Sequence, residues 1–560
     1  MKKFLKSAGL LILAFALTAC GSVSSTRDGN LSKYKALSKE DAKTEIATLL
    51  TEVDVTEITN PTLDIYMDEE GDKLALADIS TFDLPVQGTG QINIEIAAAT
   101  ELSQSAPDDW MNIVAQNFNR EKFTVNGKTV SVSVRAINSG EVVTYVDAGA
   151  YEPNMFVPSN YIWGKMLEAS GVGVTKITDR IAGNTAGILM KGDVYETFIE
   201  KYKDATISNV LKAANAGDVV FAYTNPYTSS TGINALTAML YEFDKNDPLS
   251  IQASEALLEY QKSSPPVAYN TSVLRNQAAK GLVDVMVMEE QSYINTTELR
   301  NYEYIPFGVR HDHPVYTFAW NTDEQNEVAQ MFVDYCLNEK NQKLATEKGF
   351  NRNDSYKSQD TGLTGTEYFT AQSIWKQNKN GGKPIVAVFI ADNSGSMSGE
   401  PLATLQDSLI STVPYISDGH YVGLVSYESD VTINLPIEEF NSKHRAYFSG
   451  EVKNMVATGG TNTYDALLVA LDMIDNKLEE VPDATPLVFL LTDGERTGGY
   501  NLSRIAPIVL GMEVPVYSIA YNYANMDELI DLSNLNEAAS IRADSYDIVN
   551  HLRNLFSTQL

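Results

Sequence analysis

Cysteine is nearly absent. The 560 residues contain two, Cys20 and Cys336. Two cysteines build no disulfide framework, so an apolar core must hold the fold. Cys336, in the apolar helical run "FVDYCLNE", reads as a small core residue rather than a reactive thiol. Cationic charge is also short: Lys plus Arg number 42 against 73 Asp plus Glu, a net charge of −31. Phosphate backbones are held by clustered cations, so nucleic acid is not an expected partner. Surplus acid suits an exported surface or cation binding. Beyond the first twenty residues no apolar run is long enough to span a membrane. No internal repeat of roughly 20–50 residues is present.

What is present begins with "MKKFLKSAGLLILAFALTAC". Lys2, Lys3 and Lys6 precede an apolar run from Ala8 to Ala16. That is the layout of an export signal, and the run is too short for an ordinary membrane span. Leu17-Thr18-Ala19-Cys20 resembles a bacterial lipoprotein box. The resemblance implies a signal peptide over 1–19, cleavage before Cys20, and lipid on that cysteine. The protein is then expected outside the cytoplasm, tethered to a membrane face.

Hydrophobic residues make up 44% of the chain, with 29 Tyr, so it is globular. It is too long for one core. Residues 20–88 read as a polar tether and an acidic segment. Within them "SKEDAKTEIATLL" carries a helix start at Ser38, in either a small prefix domain or a wrapping arm. From Gln91 strands alternate with helices, which predicts an α/β domain with open sheets over 91–350. Residues 351–383 read as a connecting segment with one helix around "EYFTAQSIWKQ". From Pro384 the alternation resumes. "PIVAVFIA", "YVGLVSYE", "DVTINLP", "TPLVFLLT" and "VPVYSIAY" are apolar strands between amphipathic helices. They predict a doubly wound, mostly parallel sheet over 384–560.

Such sheets bind ligands at the carboxyl ends of their strands. Three loops there carry oxygen. The first is "DNSGS", with Asp392, Ser394 and Ser396. The second is "TGGTNT", with Thr461. The third is "LLTDGE", with Asp493 directly after a strand. Two carboxylates and three hydroxyls are hard donors that suit Mg²⁺, Mn²⁺ or Ca²⁺. With so few charged ligands, the cation could accept a carboxylate from another molecule. Other readings explain less. A helix cap accounts for one serine, not three loops. A nucleophile needs a base and an orienting group, and "GSMSG" has Met397 where a nucleophile elbow needs its serine.

Together these residues resemble the von Willebrand factor A domain and its metal-ion-dependent adhesion site, whose pattern is D-x-S-x-S, a distant Thr, and an Asp after a later strand. The resemblance implies that Ser394, Ser396 and Thr461 coordinate the metal directly or nearly so, with Asp392 and Asp493 acting largely through water. Asp392→Ala is expected to abolish partner binding and leave the domain folded, the cluster lying at the rim of the sheet.

Residues 91–350 resemble the extracellular solute-binding proteins, a two-lobed type that closes on a small ligand. The resemblance rests on "INIEIAAAT" followed by "TELS", on "TNPYTSSTGINAL", and on the closing "AQMFVDYCLNEKNQKLATEKGF". Thr228, Ser229, Ser230 and Thr231 precede a helix, whose free N–H groups and positive dipole end suit small anions. Thr100 and Ser103 follow the first strand, Ser139 the second, and Ser159 follows "MFVP". Each alone reads as a cap or turn residue. Their shared strand-end placement points to a ligand cleft. His311 and His313 would share a face if "VRHDHPVY" were a strand, but no third metal ligand is identifiable.

The expectation is a non-enzymatic, lipid-anchored surface protein. Its A-type domain binds a protein partner that supplies an acidic side chain to the metal, and its middle domain has a cleft for a small solute. The alternative is the substrate-binding lipoprotein of an ABC uptake system. A cytoplasmic chelatase role conflicts with the export signal.

Overall fold

A computed structural model of the chain describes residues 34–64, 76, 78–262 and 265–543, together with Leu552 and Leu555. Within the last long stretch it omits 266, 269–270, 272–273, 276–277, 279–282, 414–415, 418, 494–495, 522–525 and 537–539. The signal segment and Cys20 lie outside the described residues. No described helix is long and apolar enough to cross a membrane.

The C-terminal sheet has seven strands. Their order across the sheet is Val55–Glu57, Val431–Glu439, Tyr421–Tyr427, Ile385–Asp392, Thr485–Thr492, Val516–Tyr521 and Ser540–Ala543. Neighbours are parallel except the hairpin pair Tyr421–Tyr427 and Val431–Glu439. Side chains alternate faces along a strand, and here both faces are covered. Val386, Val388 and Ile390 enter one core, while Ile385, Ala387, Phe389 and Ala391 enter the other. That double use explains why the central strand is apolar throughout.

The first strand of this sheet comes from the other end of the chain. Helix Lys39–Leu50 is capped by Ser38, whose side chain accepts from Asp41 N. It buries Ala42, Ile46 and Leu49 in the same core as Leu467 and Ile505. Burying Ile46 and Leu49 contributes about 1.5–3 kcal/mol each. Leu37 N donates to Pro507 O at 3.1 Å, and Lys43 pairs with Asp475 at 2.8 Å. Val55–Glu57 then lies parallel to Val431–Ile433. Of the two readings of this segment, the wrapping arm is the one observed. It wraps the C-terminal domain, so the middle domain is inserted between two parts of one sheet.

The middle domain has two sheets. One runs Thr124–Val125, Lys128–Ala136, Ile92–Ala98, Met155–Val157, Val315–Phe318, Val174–Thr178. The other runs Tyr302–Arg310, Thr185–Lys191, Val285–Glu289, Phe221–Thr224, Val267–Ala268. The chain crosses between them at 179–184 and again at 311–314. His311 and His313 sit in the second crossing, off any strand, so they have no common strand face. Both are fully buried. His313 bonds Ala182 O at 2.7 Å and Glu101 at 3.1 Å.

The stretch 351–383 does more than connect. Its helix, Gly365–Asn378, carries a capping box between Thr364 and Glu367. Tyr368, Ala371 and Trp375 are buried in the middle-domain core, and Trp375 Nε1 donates to Tyr223 OH at 2.8 Å. The helix lies so close to its neighbour that a Cβ on Gly365 would sit 2.0 Å from Lys165 O. Cys336 is also in the core, its thiol pushed well up by burial.

Candidate functional site

The oxygen-rich loops meet at the carboxyl end of the C-terminal sheet. Asp392 is the last residue of the central strand and is fully buried. Its Oδ1 accepts from Ser394 N at 2.9 Å, and its Oδ2 accepts from Thr492 Oγ1 at 2.6 Å and Tyr427 OH at 3.1 Å. Ser394 and Ser396 hydroxyls are 3.0 Å apart, and Ser396 Oγ donates to Asp493 Oδ1 at 2.8 Å. A hydrogen-bonded chain therefore runs from a buried carboxylate to an exposed serine and a half-buried carboxylate. Burial pushes the carboxyls of Asp392 and Asp493 above the usual range, and the charge of Asp392 adds to the shift of Asp493.

The Thr461 loop joins this chain through its backbone. Gly395 N donates to Gly459 O at 3.2 Å, and Thr458 N donates to Asn393 O at 2.9 Å. Thr461 is buried, its N and O held by Thr497 at 2.8 and 3.0 Å. The serines are not caps: neither the turn Gly395–Met397 nor helix Glu400–Thr412 has a side-chain cap bond.

Two features differ from the reading of the sequence. Asp392 is not at the rim; Ser396 and Asp493 are. Removing the Asp392 carboxylate takes away an acceptor shared by Ser394 N and the Thr492 and Tyr427 hydroxyls, so Asp392→Ala reaches into the core of the sheet. Tyr427 and Thr492 were also missed. The signal for Tyr427 was register, since it lies opposite Asp392 on the adjacent strand. Thr492 is simply the residue before Asp493.

The second site lies between the lobes of the middle domain. Thr100, Ser139, Ser159, Thr228, Ser229 and Ser230 line one cleft. Each follows a strand. Thr100 starts a short helix after Ile92–Ala98, and Ser139 starts helix Ser139–Asp147. Ser159 follows Met155–Val157, and residues 228–230 lead from Phe221–Thr224 into helix Ser230–Phe243. Thr231 stands just behind, fully buried, bonded to Glu289 Oε1 at 2.8 Å and Thr271 at 3.0 Å. Ser103 does not line the cleft; its hydroxyl donates to Ala99 O at 2.9 Å. The lobes touch where Gly140 N donates to Thr228 O at 3.2 Å. A Cβ at Gly140 would fall 1.9 Å from Tyr227 O, so only glycine fits there.

Reasoning from hydroxyls missed the charged lining: Glu101, Asp108, Glu289 and Arg275. Asp108 pairs with Arg275 at 3.3 Å and accepts from Gln291 at 2.9 Å; burial pushes its carboxyl up. Burial pushes Glu101 up as well, but His313, Ser159 and a backbone hydrogen bond together turn the net shift downward. Glu289 could have been found by the same strand-end rule, since it closes strand Val285–Glu289.

Comparison with known proteins agrees with this division. Residues 100–351 match the family model described as bacterial extracellular solute-binding protein, and residues 387–555 match the von Willebrand factor type A domain. Among curated relatives, human inter-alpha-trypsin inhibitor heavy chain H4 is 31% identical over 146 residues, 24% of this chain and 14% of the relative. The mouse heavy chain H3 is 30% identical over 182 residues, 29% of this chain and 20% of the relative. The chain thus spans only a small part of these relatives. Among solved structures, a von Willebrand factor type A protein from Catenulispora acidiphila aligns at 19% identity and TM-score 0.29, covering 31% of this chain and 42% of the other. A periplasmic thiamin binding protein aligns at 14% identity and TM-score 0.38, covering 53% and 99%. This chain carries a bacterial extracellular solute-binding domain followed by a von Willebrand factor type A domain.

Proposed function

We propose that the protein is a non-catalytic, extracytoplasmic binding protein, anchored by lipid on Cys20. Its C-terminal domain holds a divalent cation at Asp392, Ser394, Ser396, Thr461 and Asp493, and through it binds an acidic side chain of a protein partner. The middle domain takes a small solute in the cleft between its lobes. The location outside the cytoplasm is supported by the match to extracellular solute-binding proteins, and the anchor by the "LTAC" box.

One observation carries the cation reading: hard oxygens from separate strand-end loops meet within contact of one another. Ser394 and Ser396 hydroxyls are 3.0 Å apart, and Ser396 lies 2.8 Å from Asp493. Two carboxylates with hydroxyls make a hard-oxygen donor set that suits Mg²⁺ or Mn²⁺. Among the described residues no three His, Cys, Asp or Glu side chains come together as a metal site, so the hydroxyls are needed. Two carboxylates match the charge of the ion, and a partner's carboxylate takes an open position at the exposed Ser396 edge.

The test is capture of partners by the intact protein with Mg²⁺ and with chelator. Retention with Mg²⁺, loss with chelator and loss in Ser396→Ala support the reading. Partners that bind equally well in chelator reject it.

A further inference from the structure

The cleft of the middle domain is acidic. Glu101, Asp108 and Glu289 line it against one guanidinium, Arg275, which Asp108 already engages at 3.3 Å. The helix starts at Ser139 and Ser230 each bring about half a positive charge, and His313 engages Glu101 at 3.1 Å, which leaves Glu289 as the lining carboxylate without a hydrogen-bonded cation among the described residues. An anion, the ligand that a helix N-terminus alone would suggest, meets the unmatched carboxylate oxygen of Glu289 here.

A second observation points the same way. Glu289 is 3% exposed, and its Oε2 has no hydrogen-bond partner. Its other oxygen accepts from Thr231 at 2.8 Å, while His311 Nδ1 stands 3.4 Å away without forming a hydrogen bond. A buried, unmatched carboxylate oxygen is costly, and a ligand that donates a hydrogen bond to it recovers that cost. The hydroxyls around it, Ser139, Ser159 and Ser229 among them, accept as readily as they donate. The ligand therefore needs donors and positive charge. The cleft encloses about 30 Å³, room for a group of one or two heavy atoms.

We infer that the cleft binds the ammonium head of a small organic amine, with Glu289 as its principal acceptor and Glu101 and Asp108 supplying the field. This rests on the reading of the middle domain as a solute binder and names the class of solute.

The test is calorimetric titration of the intact protein with three sets of probes: methylammonium, ethanolamine and putrescine; sulfate, phosphate and molybdate; and erythritol as a neutral polyol. At least one amine is expected to bind, and Glu289→Gln to weaken it about tenfold or more, the loss of one charge-assisted hydrogen bond. Asp108→Asn serves as a second variant should Glu289→Gln fold poorly. Binding of an oxyanion or the polyol without any amine overturns the inference and leaves the solute-binding reading standing. Amine binding unaltered by either variant overturns the assignment of the site. Failure of every probe overturns both the inference and the solute-binding reading.

Discussion

Thr492 Oγ1 donates to Asp392 Oδ2 at 2.6 Å, and the two residues end neighbouring parallel strands. The bond ties the innermost carboxylate of the cluster to the frame of the sheet. The outermost carboxylate, Asp493, accepts from the exposed Ser396. The cluster thus has a rigid end and an adaptable end, and substitutions at the two ends should behave differently.

At the adaptable end, Ser396→Ala should leave the domain as stable as wild type in chelator. Mg²⁺ at a hundred times its dissociation constant should stabilise the wild-type domain by about 2.7 kcal/mol, and Ser396→Ala should lose most of that gain. Thermal unfolding with and without Mg²⁺ measures both.

At the rigid end, Asp392→Ala should destabilise the domain even without metal. The bonds from Ser394 N, Thr492 and Tyr427 to that carboxylate are lost, at roughly 0.5–1.5 kcal/mol each. Denaturant unfolding in chelator should show a lower midpoint; an unchanged midpoint contradicts the role given to these bonds.

His444 gives a pH dependence. Burial lowers its pKa from 6.5, against an opposing hydrogen bond to Val422 O at 2.8 Å. Between its depressed folded value and 6.5 the unfolded chain holds more protons, so stability rises with pH there and falls on acidification. His444→Gln should flatten that slope. Melting temperatures of both proteins from neutral pH down through 6.5 make the comparison.

The arm should be structural. Ile46 is 1% exposed in the core of the C-terminal domain, and Ile46→Ala should cost about 2–5 kcal/mol. The loss should fall on the unfolding of the C-terminal domain and leave solute binding by the middle domain unchanged.

The strands of the C-terminal domain were legible because both faces of its sheet are covered, which makes runs such as "PIVAVFI" continuous. Its loops were legible because Asp392, Ser394, Ser396 and Asp493 stand at strand ends and Thr461 just before a helix, in chain order. The depth of Asp392 was not, because depth depends on Tyr427 and Thr492 closing over it from neighbouring strands. In the middle domain the search for hydroxyls located the cleft and misjudged its charge. Glu101 and Asp108 come from one lobe, and Glu289 closes a strand of the other. Only folding sums them. The destination of the arm was hidden for the same reason: nothing in "VTE" at 55–57 names Val431–Ile433 as its partner.

That pairing also orders events in time. The chain emerges amino end first, at about 5–20 residues per second. Val55 must therefore wait on the order of tens of seconds before Val431 exists to receive it. The whole middle domain is made in the interval and has time to form its own cores. The earliest described segment to appear is thus among the last to reach its place, and until then Ala42, Ile46 and Leu49 stand exposed. A fragment begun at 384 faces the complementary problem: its Val431–Glu439 strand is left as a bare sheet edge, open to pairing with another copy.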